Sequence, residues 1–402
     1  LLSDSSSSMD SVSANGGVSS LTKLLSKSGT SRGTKSSALS CVADIVAACA
    51  PGGRGEGHLA LEQQQQQQVL IVATNSIDVN DPHVSGIALR CLDSLLCSFA
   101  SKSKSSFLDE WNKSLREKIV GLSGCLEEGE PLDFFCTFLR CISDMSEIDP
   151  IGLINSFLKR SSERNDGMTT NSMIAVSRCI QCLCSRDASV LKTTVRIFTA
   201  LLSDPGKDGI MRTQLALYGL GEIGSRTNIE PYLSEKEKSG IESMFSVKEG
   251  ELREASAWCL GSASTCSTDV LLPRILAFAR AGQGSSTTTA LSCLRRALRL
   301  VSANSDDLDR VTELDMSPHV HDILSTLRLH VFPNGSDGGA SKSDGANQSE
   351  ESSTNHDVAV ATECWGLLST LPGIGYGVLS EEWTCVYDRM KGRKKYVKRV
   401  GE

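Results

Sequence analysis

The feature that most constrains this chain is a short pattern that returns about every forty residues. A small or apolar residue is followed by two others, then by a cysteine or glycine and an apolar residue, each time inside an amphipathic run. It reads Ala38…Cys41-Val42, Ala88…Cys91-Leu92, Val176…Cys179-Ile180, Ala216…Gly219-Leu220, Ser256…Cys259-Leu260, Ala290…Cys293-Leu294 and Ala361…Cys364-Trp365, with a weaker copy at Phe135…Phe138-Leu139. Successive anchors lie 50, 47, 41, 40, 40, 34 and 71 residues apart. A chain built this way repeats one apolar stripe per unit, and each unit needs its neighbour to cover that stripe.

Two helical patterns per unit and no convincing strand predict an all-α fold, a HEAT/armadillo-type α-solenoid. The expectation is a right-handed superhelix of about seven or eight helix pairs. The unit from Tyr232 to Ser264 shows the construction. Ser234-Glu235-Lys236-Glu237 is a capping box that opens a helix carrying Ile241, Met244 and Phe245 on one face. Lys248-Glu249-Gly250 breaks it, and Glu251 to Ala263 supplies a second helix with Leu252, Ala255, Cys259 and Leu260 at helical spacing.

Composition divides the rest of the chain. Residues 1–35 are rich in Ser and Gly and predict no ordered structure apart from a helical patch near Val18 to Leu25. The repeats are expected over 36–332. Residues 333–356 form a Gly/Ser/Asp/Asn-rich insert expected to lack order; removing its 24 residues leaves a final spacing of 47. Residues 357–384 read as a last, partial repeat and 385–402 as a basic tail. The loop from Pro51 to Gly57 and the Gln63 to Gln68 run stretch the first spacing, since a longer surface loop adds little closure entropy. The chain opens on Leu1, from which a piece of a longer protein is expected.

Fifteen cysteines in a 402-residue chain with no apparent secretory leader read as reduced thiols rather than a disulfide framework. Six of them, Cys41, Cys91, Cys179, Cys259, Cys293 and Cys364, occupy the anchor position, where a small buried side chain lets two helices pack closely. A net charge of −7 argues against nucleic acid as the main partner. The basic cluster Arg389 to Arg399, RMKGRKKYVKR, can serve as a nuclear localisation signal, contact phosphates or stand as a solvated tail. No apolar run is long enough for a membrane span.

Motifs for chemistry are few. Gly219, Gly221 and Gly224 spell the dinucleotide fingerprint, but turn residues and Pro231 follow where that fingerprint needs a helix. The reading favoured is a helix end approached closely by another helix. Cys179, Cys182 and Cys184 include a C-x-x-C, without a second pair or histidine at zinc-site spacing. His319 and His321 are two apart and point to different sides of a helix. The sequence therefore assigns no catalytic residue, no cofactor-binding residue, no metal ligand and no cofactor, and leaves partner-binding residues open; it reads as a protein that is not an enzyme and takes no small-molecule substrate.

With these repeats in hand, the wording of several resembles a known family. RTQLALYGLGEIG (Arg212 to Gly224), MFSVKEGELREASAWCLGSAS (Met244 to Ser264) and DVLLPRIL (Asp269 to Leu276) are similar to the cullin-associated, neddylation-dissociated (CAND) proteins. So are TTTALSCLRRALRLVS (Thr287 to Ser302), MSPHVHDILSTL (Met316 to Leu327) and VAVATECWGLLSTL (Val358 to Leu371). The resemblance covers about Ile174 to Leu371. It implies a long HEAT solenoid that wraps a cullin–RING scaffold, occludes its neddylation and adaptor sites and so drives substrate-receptor exchange in ubiquitin ligases, in the cytoplasm, the nucleus or both. The sequence departs from the family pattern at the 333–356 insert, at its basic end and at its start. The other readings are a HEAT scaffold of another class, such as a nuclear transport receptor or phosphatase scaffold, and a nucleotide-dependent enzyme resting on Gly219 to Gly224 alone.

Overall fold

Helix starts in this chain are written as caps. Ser31, Asp81, Thr169, Asp187 and Ser234 each accept a hydrogen bond from a backbone N–H in the first turn of the helix that follows. At Ser234 the box is reciprocal, because Glu237 accepts in turn from the Ser234 N–H at 2.6 Å. Pro131 and Pro150 open two further helices, where the missing N–H costs nothing.

In the computed structural model, the described residues are 11–27, 29–49, 61–98, 104–163, 167–184, 187–203, 209–281, 284–303, 317–331 and 348–369. They hold α1 (Ser11–Leu25), α2 (Arg32–Ala48), α3 (Gln63–Ser76), α4 (Pro82–Ser98), α5 (Lys104–Glu110), α6 (Arg116–Ser123), α7 (Glu130–Ser143), α8 (Pro150–Ser162) and α9 (Thr170–Cys184). There follow α10 (Ala188–Ser203), α11 (Gly209–Gly224), α12 (Glu235–Ser243), α13 (Gly250–Ala263), α14 (Thr268–Arg280), α15 (Gly284–Ala303), α16 (Val320–Val331) and α17 (Gln348–Ser369). A π turn, Trp111–Leu115, joins α5 to α6, with Trp111 buried against Phe107. There is no strand among the described residues.

The chain divides into two units, Leu1–Gly219 and Leu220–Glu402. In the first, α2, α4, α7 and α9 pack one on the next as a row, and a second row (α1, α3, α5, α6, α8, α10) runs beside it. In the second unit α13, α15 and α17 form the row, with α14 and α16 beside it. Alternating paired helices stacked in this manner are an α-solenoid, the fold class expected from the period.

The core follows the repeated pattern. The anchors Cys91, Phe138, Cys179, Gly219, Cys259, Cys293 and Cys364 are all buried, and so are the apolar residues after them. Ile241 and Phe245 are buried and Met244 half-buried, matching the predicted face of α12 and the turn after it. Three expectations need correction. Cys41 is exposed: α2 is the first helix of its row among the described residues, and Ala38, Leu39, Val42, Ala43 and Val46 are buried instead. Within 1–35, α1 spans Ser11–Leu25 and α2 begins at Arg32. Val18, Thr22 and Leu25 supply a stripe narrow enough for the Ser/Gly composition to mask it, and α1 packs on α2 and α3. Residues 348–356 of the insert belong to α17. The rest of the insert, 333–347, the segment 370–384 and the basic tail 385–402 lie outside the described residues.

Candidate partner-facing helix row

The anchors set a register, and the polar residues flanking them meet across the row. At two steps of the row the residue three after one anchor meets the residue one before the next. Asp44 on α2 and Arg90 on α4 pair at 2.7 Å. Arg90 also lies over the Phe134 ring of α7, 5.8 Å from its centroid. In the second unit, Trp258 Nε1 on α13 donates to Glu222 Oε1 at the end of α11 at 3.0 Å.

Here the contact extends into a ladder. Arg296 on α15 stacks its guanidinium 3.5 Å from the Trp258 ring centroid, donates from Nε to Ser262 Oγ at 3.1 Å and lies 3.4 Å from Glu222 Oε1. Glu222 side-chain exposure is 9% and that of Arg296 21%, so this cation–π pair is partly desolvated and contributes on the order of 1–2 kcal/mol. One helix further, Arg295 and Arg299 both engage Glu363 on α17. Arg299 is 55% exposed, and such a surface pair contributes about 0–1 kcal/mol. The ladder thus runs from a buried, structural end at Glu222 to an open basic end at Arg295 and Arg299. Tryptophan and arginine at the edge of water are the side chains that most often anchor protein interfaces.

The glycines of the fingerprint-like stretch do the packing work. They lie inside α11 rather than in a strand-to-helix loop. A Cβ on Gly219 would meet the Phe198 ring, one on Gly221 would sit 3.1 Å from Cys259 Cα, and one on Gly224 2.7 Å from Ala263 Cβ. No cradle for a pyrophosphate is left there. Gly261 repeats the device, with Cys293 O 2.5 Å from where its Cβ would stand.

Thiols behave according to their burial. Desolvation pushes Cys91, Cys259 and Cys364 up to about 12 and raises Cys293 well above its usual range. Cys179, Cys182 and Cys184 are buried on α9, with Cys136 of α7 hydrogen-bonded to the first two. The bond to Cys179 raises Cys136, and the bond to Cys136 raises Cys182. His319 lies in a 3-10 turn 3.2 Å from Asp269, and His321 is exposed on α16. Among the described residues, one group has metal-ligating character: Asp93 and Cys97 on α4 with Cys141 on α7. Burial raises all three, and the neighbouring Asp93 and Cys97 help push Cys141 up to about 12.

Beside the row, a charged network joins α12 to α14. Lys238 bonds Glu230 at 2.7 Å and Glu235 at 2.5 Å, and Arg274 bonds Glu235 at 2.6 Å and Glu242 at 2.5 Å. The Lys238 and Arg274 hydrogen bonds hold Glu235 below the usual carboxylate range.

The sequence reading found the anchors but not the ladder or the Asp93 group. The signal was present: these residues stand one before, or two, three and six after, an anchor. What hid them is that each set draws on different repeats: Asp93 and Cys97 share one face of α4, but Cys141 and the ladder partners come from other helices.

No protein-family model matches the chain. Over 211 residues, 52% of this chain, it is 25% identical to Cullin-associated NEDD8-dissociated protein 1 of Arabidopsis thaliana. The match takes in 17% of that protein's length, so the chain spans a small part of the relative. Among solved structures it is similar to a chain from work on a phosphorylation switch controlling the interaction between cadherin and beta-catenin, with 12% identity over 92% of this chain and 82% of that one and a TM-score of 0.24. No helix among the described residues is long and apolar enough to cross a membrane. The chain is an α-solenoid whose sequence is distantly similar to the Arabidopsis protein, a CAND-like or HEAT-repeat relation.

Proposed function

We propose that this chain is a non-enzymatic scaffold module that binds a cullin–RING core along an elongated surface and regulates ubiquitin-ligase assembly and substrate-receptor exchange, in the cytoplasm or nucleus. The observation that carries the reading is the 25% identity over 211 residues to Cullin-associated NEDD8-dissociated protein 1. Supporting it, the polar ladder offers several half-exposed arginines and a tryptophan spread over successive helices rather than gathered in one cleft. Binding of this kind sums many modest contacts, weakens as repeats are removed, and is partly electrostatic and salt-sensitive.

A competition pull-down with unmodified and neddylated cullin–RING pairs tests this. Preference for the unmodified pair is expected, with capture weakened in the Arg295→Glu, Arg299→Glu double variant. Capture of neither pair by a chain whose circular dichroism is intact would remove the assigned partner and leave the solenoid standing.

A further inference from the structure

The first unit brings together a carboxylate and two thiols where α4 packs on α7. Asp93 and Cys97 stand one turn apart on α4, and Cys141 faces them from α7; a carboxylate oxygen and the two sulfurs all lie within 4.8 Å of one another. We propose that Asp93, Cys97 and Cys141 form a zinc-binding site, with Zn2+ held by one carboxylate oxygen and two thiolates and the fourth position open to water.

Three observations support this assignment. The first is the donor set: two thiolates with one carboxylate suit zinc, whereas magnesium and calcium demand oxygen ligands throughout. The second is spacing. Zn–S bonds of about 2.3 Å and Zn–O bonds of about 2.0–2.2 Å place the donors of one tetrahedron roughly 3.5–3.8 Å apart. Donors already within 4.8 Å, carried on two packed helices, reach that by small side-chain rotations. The third is placement. Cys97 is exposed while Asp93 and Cys141 are half-buried, which gives an ion a path in and leaves one coordination position facing solvent. The neighbouring Arg90 already engages Asp44 and the Phe134 ring. A bound ion would bridge α4 to α7 and, by binding the folded state, raise the melting temperature.

The test uses the full chain, reduced and stripped with a chelator. Zn2+ is titrated against a chromogenic chelator, and Co2+ is added separately as a spectroscopic probe. One Zn2+ per chain is expected, with a thiolate-to-cobalt charge-transfer band in the near ultraviolet. Cys97→Ser and Cys141→Ser should each weaken zinc binding by about a hundredfold or more, and Asp93→Asn by about tenfold or more. Cys125→Ser, an exposed cysteine outside the group, should change neither. Circular dichroism confirms that each variant folds, and the exposed Cys97 makes its substitution the mildest. Stoichiometric zinc that survives the Cys97→Ser, Cys141→Ser double variant, a cobalt complex without a thiolate band, or no zinc uptake would each overturn the site.

Discussion

The two units use the same register and fill it with different chemistry. In the second, helices approach backbone to backbone: Gly221 and Gly224 at the end of α11 lie against α13, and Gly261 against α15. In the first, larger side chains occupy the row: Phe138 stands at an anchor, Phe135 packs on Phe157 of α8 with centroids 6.3 Å apart, and close approach occurs at Gly86 against Pro131. A glycine contact admits hardly any substitute, so its sequence pattern is strict. A contact filled by aromatic side chains tolerates other volumes, so its pattern blurs. The sequence carries this contrast in its motifs, strict at Gly221, Gly224 and Gly261 and loose around Phe138.

The comparison also predicts where the chain is vulnerable. The largest contrast should appear in thiol labelling. The first unit exposes Cys41, Cys97 and Cys125 beside its buried Cys91, Cys136, Cys179, Cys182 and Cys184, while Cys259, Cys293 and Cys364 of the second unit are buried. With Cys259 pushed up to about 12, its thiolate fraction at neutral pH is roughly a thousandfold below that of a free thiol. Peptide mapping after native alkylation should find the first three modified and the last three protected; rapid modification of Cys259 or Cys293 would break the register on which the comparison stands.

Removing volume should hurt the first unit most. Phe138→Ala is expected to lose about 3–5 kcal/mol in denaturant unfolding, through a cavity at a fully buried anchor. Adding volume should hurt the second. Gly261→Ala, with its Cβ facing Cys293 O, and Cys259→Leu should each cost roughly 1–3 kcal/mol through overpacking, in spite of the helix propensity that alanine adds. If Gly261→Ala unfolds at the wild-type denaturant midpoint, the close approach is not what holds α13 to α15. The control lies on α12, where nothing stands within 4 Å of a Cβ on Gly240. Gly240→Ala should stabilise by about 0.5–1 kcal/mol in the same measurement.

The smallest effect concerns pH. Glu235 is held below the usual carboxylate range by its hydrogen bonds to Lys238 and Arg274, so its folded value is depressed. Its contribution is present above the unfolded carboxylate value and is lost as pH falls through the folded one. Melting temperature measured on descending pH should therefore fall less steeply for Arg274→Ala than for the parent chain. Equal acid slopes would show that this network does not couple to folding.

Much of the architecture was legible beforehand, since the period and the apolar stripes are local properties: spacing alone tells a helix which face to bury, and a serine followed by glutamate three residues later tells it where to begin. Hence Ser234, the anchors from Cys91 onward and the glycines of α11 could be placed from the chain itself. What tertiary structure alone decided was pairing between repeats and which anchors are covered. Glu222, Trp258 and Arg296 are far apart in sequence and meet because one small anchor per repeat brings successive helices into the same register. Cys141 reaches Asp93 and Cys97, one turn apart on α4, because α7 packs on α4. Cys41 carries the same local signature as Cys91 yet is exposed, because burial depends on a neighbouring helix, which a local pattern does not supply.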